Sequence, residues 1–130
     1  QIILCRYLST HFKSNGGGNI IILGSEAALT GKKKGTLYSA AKFGLRGFAQ
    51  ALRDEVGTSG VGVSIINPGL VRTPFFDKLD FEPADREKNA VAPEDIAKIV
   101  LELLDTRSGT IIDEINLSPG SHSINFKKNA

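Results

Sequence analysis

The sequence has no methionine, no tryptophan and a single cysteine, and each shortage narrows what the chain does. Cys5 has no second cysteine to pair with, so no internal disulfide forms. The only histidines, His11 and His122, lie far apart, and no Cys/His spacing offers a metal site. A reducing, cytoplasmic setting is expected. Long apolar runs are also missing: the longest candidates, Ile20 to Leu23 and Ile99 to Leu104, fall well short of the roughly 18 residues of a membrane span. Sixteen basic against fourteen acidic residues leave a charge of only +2, so no sustained field gathers nucleic acid. The one basic run, Lys32 to Lys34, is expected to be a solvated loop. Gln1 opens directly on an apolar helical pattern, with no secretory h-region, so the start is expected to be an internal break in a longer protein.

What is present is a 41% hydrophobic chain of 130 residues, sized for one domain that buries about two-thirds of its unfolded surface. Leu4, Cys5, Leu8 and Phe12 recur at helical spacing, and Asn15 to Gly18 stop them, predicting a helix over Gln1 to Ser14. Asn19 to Gly24 and Val61 to Ile66 are β-branched apolar runs without alternation, the pattern of strands buried on both faces. Between them Ala41, Leu45, Phe48, Ala49, Leu52 and Val56 draw one stripe down a helix over Ala40 to Val56. Asn67, Pro68 and Gly69 are expected to close the second strand. Residues 72–91 read as a lid, Pro93 to Asp105 as a helix, Thr110 to Leu117 as a third strand and Ser118 to Ala130 as a polar tail. This alternation predicts an α/β fold with a parallel sheet and helices on both faces. In such sheets ligands bind beyond the carboxyl ends of the strands.

Two groups follow those ends directly, Ser25 and the segment Pro68 to Thr73. A third candidate is the pair Tyr38 and Lys42, four residues apart and so on one helix face. Free tyrosine has a pKa near 10, and bringing it to about 7 takes roughly 4 kcal/mol in favour of the phenolate, which a neighbouring ammonium in a dry cleft supplies. By itself that spacing is equally that of an ordinary helix-face pair. Likewise Ser25 alone fits a turn or cap.

Read together, Ser25, Tyr38-Ser39-Ala40-Ala41-Lys42 and Asn67-Pro68-Gly69-Leu70-Val71-Arg72-Thr73 resemble the short-chain dehydrogenase/reductase family. Ala92-Pro93-Glu94-Asp95-Ile96-Ala97 and Asp113-Glu114-Ile115 are similar to its later helix and strand, so the resemblance runs from Gln1 to about Pro119. It implies a Rossmann-like, doubly wound domain of which residues 1–130 form a single α/β unit, the C-terminal catalytic part. The nucleotide-binding part, with its glycine-rich turn, would lie upstream. The implied activity moves a hydride between NAD or NADP and a small-molecule carbonyl or alcohol. Ser25 would bond the substrate oxygen, Tyr38 would act as general acid/base, and Lys42 would tune the tyrosine and bind the nicotinamide ribose. Pro68, Gly69, Val71 and Thr73 would line the nicotinamide. A homodimer or homotetramer is implied as well.

Gly24 and Ala41 stand where the family commonly has serine, and the proton chemistry is expected to tolerate both. Phe75 and Phe76 are either a substrate-facing apolar patch or the anchor of the lid. The alternative function is a truncated, non-enzymatic oligomerisation or binding module built on the residues 41–56 helix. A hydrolase reading fails for want of a Gly-x-Ser-x-Gly turn around Ser25.

Overall fold

The β-branched runs and the striped helices assemble as their patterns require. The structure, a computed structural model, describes residues 1–107 and 109–127. In chain order it forms α1 (Ile2–Ser14), β1 (Gly18–Leu23), α2 (Thr36–Val56), β2 (Val61–Pro68), β3 (Phe81–Pro83), α3 (Pro93–Asp105), β4 (Glu114–Leu117) and β5 (Ile124–Phe126). β1, β2 and β4 make a parallel sheet in that order, with Ile22 opposite Ile65 and Asn67 opposite Asn116. This is the parallel α/β arrangement that the alternation implied, and the Rossmann-like one that the resemblance implied.

α1 and α2 pack together against one face of the sheet. Ile20 and Ile22 of β1, Val61, Val63 and Ile65 of β2, and Leu45, Ala49, Leu52 and Val56 of α2 form the core there, with Cys5. Each large aliphatic side chain so buried contributes about 1.5–3 kcal/mol. Ser64 and Ile66, on the opposite face of β2, are buried too. Leu4, assigned by period to the buried stripe of α1, is instead exposed, because Cys5, Leu8 and Phe12 already fill the contact with the sheet.

Three boundaries move for identifiable reasons. β2 runs through Pro68 because the rung with Leu117 uses the N–H of Gly69, donated to the Leu117 carbonyl at 2.8 Å, and never calls on a proline N–H. β4 begins only at Glu114: Thr110 N–H turns back to Arg107, and Ile111 and Ile112 are exposed. α2 starts one turn before its apolar stripe, at Thr36, after Gly35. The segment read as a polar tail contributes β5, which pairs antiparallel with β3 across Phe81–Phe126, Glu82–Asn125 and Pro83–Ile124. Its residues 128–130 lie outside the described residues.

No helix among the described residues is long and apolar enough to cross a membrane.

Candidate active site

At the carboxyl end of β1 the ladder continues one residue further, with Gly24 N–H donating to the Ile66 carbonyl at 2.7 Å. Ser25 follows in extended backbone and is buried. Its Oγ accepts from the N–H of Ala27 at 3.2 Å, capping a 3₁₀ turn over Glu26–Ala28. That bond uses a lone pair of the hydroxyl and leaves its proton free to be donated.

The loop beyond closes onto α2. Glu26 holds Lys32 at 3.2 Å, Ser39 Oγ accepts from the Lys32 N–H at 3.2 Å, and Lys34, at φ +63°, turns the chain towards the helix. Lys32 is thus paired, not merely solvated. Tyr38 and Lys42 then project from the first turns of α2. The Lys42 Nζ lies 5.6 Å from the centre of the Tyr38 ring, within cation–π range, and donates to the carbonyl oxygen of Gly24 at 3.1 Å. The ammonium therefore stands between the phenol and the residue that precedes Ser25. The tyrosine is 44% exposed, and among the described residues its hydroxyl makes no hydrogen bond, to Ser25 or to anything else.

The turn after β2 forms the other side of the rim. Val71 bridges Val91 in parallel, through the Leu70 carbonyl at 2.7 Å and the Arg72 N–H at 3.1 Å. In a parallel bridge those bonds belong to the neighbours, so the peptide groups of Val71 itself face away from Val91. Thr73 Oγ1 caps a 3₁₀ turn over Pro74–Phe76, accepting from Phe75 N–H at 3.4 Å. Gly69 is required by packing: a Cβ there would meet Glu26 Oε2 and Pro119 Cδ, each at 2.8 Å. Phe76 is buried with its ring edge-on to Phe75 and Phe81, so it anchors the loop, while Phe75 is exposed.

These donors suit a nicotinamide nucleotide. One of the three protons of Lys42 goes to Gly24, which leaves two for ribose hydroxyls, and the outward peptide of Val71 matches a carboxamide, donor to acceptor and acceptor to donor.

The sequence reading gave no role at the rim to three residues. Glu26 gathers Lys32 and, at 3.9 Å, His122 Nδ1. Arg72 donates to the carbonyls of Ala84 and Arg86, at 2.8 and 3.2 Å. Asn67 is fully buried and donates to Asn116 Oδ1 at 3.0 Å. A polar residue inside an apolar strand was the available signal for Asn67; the others are set by contacts distant in sequence.

Comparison with known proteins gives a consistent set. The profile of a family described as short chain dehydrogenase matches residues 1–83. The 3-oxoacyl-acyl-carrier-protein reductase FabG of Buchnera aphidicola is 48% identical over 63 residues, covering 48% of this chain and 26% of that protein. BbsD of Thauera aromatica, a succinyl-CoA-derivative dehydrogenase subunit, is 33% identical over 120 residues, 88% of this chain and 48% of its own length. The closed form of a serine dehydrogenase complexed with NADP+ superposes with a TM-score of 0.77 at 27% identity, over 89% of this chain and 50% of that one. The chain spans half or less of the length of each.

Proposed function

Since the chain belongs to the short-chain dehydrogenase/reductase family, we propose that it is the catalytic part of an NAD- or NADP-dependent oxidoreductase acting on a small carbonyl or alcohol, in a reducing cytoplasmic setting. The observation that carries this reading is the Lys42 ammonium, held by the Gly24 carbonyl beside the Tyr38 ring at the carboxyl rim of a parallel sheet.

When bound, the nicotinamide supplies or accepts the hydride. In the reducing direction the carbonyl oxygen of the substrate lies between two hydroxyls. Ser25, whose Oγ already accepts from Ala27, donates its proton in a hydrogen bond to that oxygen and fixes the carbonyl. Tyr38 gives its own proton to the oxygen as negative charge develops there, and Lys42 steadies the phenolate that remains. Oxidation runs the same steps backwards. Lys42 would hold the ribose and Val71 the carboxamide, and Pro68, Gly69 and Thr73 would line the nicotinamide.

Tyr38→Phe in the full-length protein tests this, because it keeps the ring and removes the proton carrier. Turnover with either nicotinamide cofactor is expected to drop by about 10²–10⁴-fold with little change in cofactor affinity. Turnover equal to the parent would remove Tyr38 from the chemistry.

A second reading rests on a different observation. Ala40, Ala41, Gly44, Gly47 and Ala51 leave one side of α2 exposed and thin-walled beside the exposed Phe43, and α1 shows Ile3, Leu4 and Tyr7. Such a face suits close helix packing against a copy of itself, whether in a homodimer or homotetramer of the enzyme or in a non-enzymatic module. Sedimentation of the parent and a Gly47→Glu variant tests this association: a monomeric parent removes this reading.

A further inference from the structure

Asn67 is fully buried on the second-to-last rung of β2, where a hydrogen-bonding atom left without a partner costs about 1–3 kcal/mol. Its Nδ2 donates to Oδ1 of Asn116, its cross-strand neighbour on β4. Its Oδ1 has no partner among the described residues. An aliphatic residue of similar volume would avoid that cost, so the amide needs a reason.

The neighbour on the other side gives one. Leu23 pairs with Ile66 and Gly24 N–H bonds the Ile66 carbonyl, which sets Gly24 beside Asn67 in the sheet. A Cβ on Gly24 would collide with Asn67 Oδ1 and approach Ile65 Cδ1 to 3.1 Å. Gly24 is not among the positive-φ glycines, so the neighbour, not the torsion, restricts this position. The amide of Asn67 thus occupies the space that an apolar side chain at position 24 would need. The carbonyl of that same Gly24 receives Lys42 Nζ.

We propose that Asn67 is a positioning residue for Lys42. Pinned by Asn116 through its nitrogen, the carboxamide bears with its oxygen on Gly24 and fixes the carbonyl to which the ammonium is bound. The contacts run in one line across three strands, from Asn116 through Asn67 and Gly24 to the helix residue. Asparagine serves here because leucine would fill the space but could not be tied to β4. The placement of Lys42 does not depend on hydride chemistry; only its consequence for turnover rests on the function proposed above.

The test is the rate at which acetic anhydride acetylates Lys42 in the full-length protein, read by mass spectrometry against exposed Lys33 in the same molecule. Asn67→Ala removes the support, Asn116→Ala removes only its tie, and Gly24→Val forces the collision with a side chain that, unlike serine, offers Oδ1 no hydroxyl. Each is expected to raise the Lys42-to-Lys33 ratio, by about threefold or more for Asn67→Ala and Gly24→Val and less for Asn116→Ala. Joining Gly24→Val to Asn67→Ala returns the space and is expected to bring the ratio back towards the parent. Should Asn67→Ala not fold by circular dichroism, the exposed Asn116→Ala carries the comparison. Ratios unchanged in the single variants, or a double variant no closer to the parent than either single, overturn the proposal. Altered labelling with unaltered turnover in the same variants upholds the positioning and removes Lys42 from catalysis instead.

Discussion

Lys127 Nζ donates to the carbonyl oxygen of Phe76 at 2.6 Å, joining residues 51 apart in the chain. The same ammonium meets the Asp77 carbonyl at 3.2 Å and the Glu82 carboxylate at 3.8 Å. It thereby adds a second donor to the Phe76 carbonyl, which already accepts from the Leu79 N–H at 3.0 Å where the 3₁₀ turn over Pro74–Phe76 ends. With β5 laid along β3 and Ala84 N–H donating to Ser123 at 3.0 Å, the tail clasps the loop that follows the active-site rim. What reads in the sequence as a loose lid is a folded flap with a fastener.

Lys127→Met keeps most of the stem and removes the three donors. Amide protection over residues 74–83 is expected to fall by about tenfold, the loss of roughly 1–1.5 kcal/mol of charge-assisted bonding. Hydrogen exchange read by mass spectrometry checks it; equal protection in both proteins would mean that Phe76 and β3 hold the flap unaided.

Arg53 of α2 ties β2 to the residue before β4, with Nε donating to the Val63 carbonyl at 2.8 Å and Nη2 to the Asp113 carbonyl at 2.6 Å. Arg53→Ala is expected to cost about 2–3 kcal/mol in urea unfolding. Arg53→Lys should recover less than half of that, since one ammonium does not reproduce the spread of the guanidinium fork.

The glycines separate into two kinds. Gly17, at φ +113°, has its Cβ position blocked by the Gly60 carbonyl, so Gly17→Ala is expected to destabilise by about 2 kcal/mol or more. Gly47 lies within α2 with nothing near an added methyl, and Gly47→Ala should stabilise an isolated chain by about 0.5–1 kcal/mol. A Gly47→Ala variant that gains less stability than the parent as protein concentration rises would show that this side of α2 is covered by another copy.

Burial pushes the Cys5 thiol above its ordinary value of 9.0. As pH rises past that value the unfolded chain loses its thiol proton first, so the folded state binds more protons and stability falls. The contribution is complete below 9.0 and is lost as pH climbs through the folded value. Melting temperatures between about pH 8 and pH 10 should decline more steeply for the parent than for Cys5→Ala; parallel curves would contradict the assignment.

How far the sequence can be read depends on how local the cause is. β1 and β2 are legible because Ile20, Ile21, Ile22, Val63, Ile65 and Ile66 make β-branched apolar runs, although only β2 is buried on both faces as expected; in β1 Ile20 and Ile22 are buried while Asn19 and Leu23 on the other face are exposed, with no strand beyond them among the described residues. Tyr38 and Lys42 are legible because four residues of helix bring them to one face. β3 and β5 are three residues each, matched over a separation of more than forty with no hairpin turn between them, so no local pattern announces the pairing. Ile111 and Ile112 mislead in the opposite sense, with a strand's composition but no ladder. Asn67 looks like a stop signal beside Pro68 and Gly69, and its part in the rim emerges only once Gly24 and Asn116 flank it.

β1 is bonded to β2 along one side, and its other side carries no strand among the described residues. The run Gly-Asn-Ile-Ile-Ile-Leu has neither charge nor proline to discourage a newcomer. Handled as a separate polypeptide, the chain would therefore be a template for its own aggregation. Recombinant material is expected to stay dispersed to the degree that something is laid along that edge, which makes the choice of what to co-express with it a structural decision.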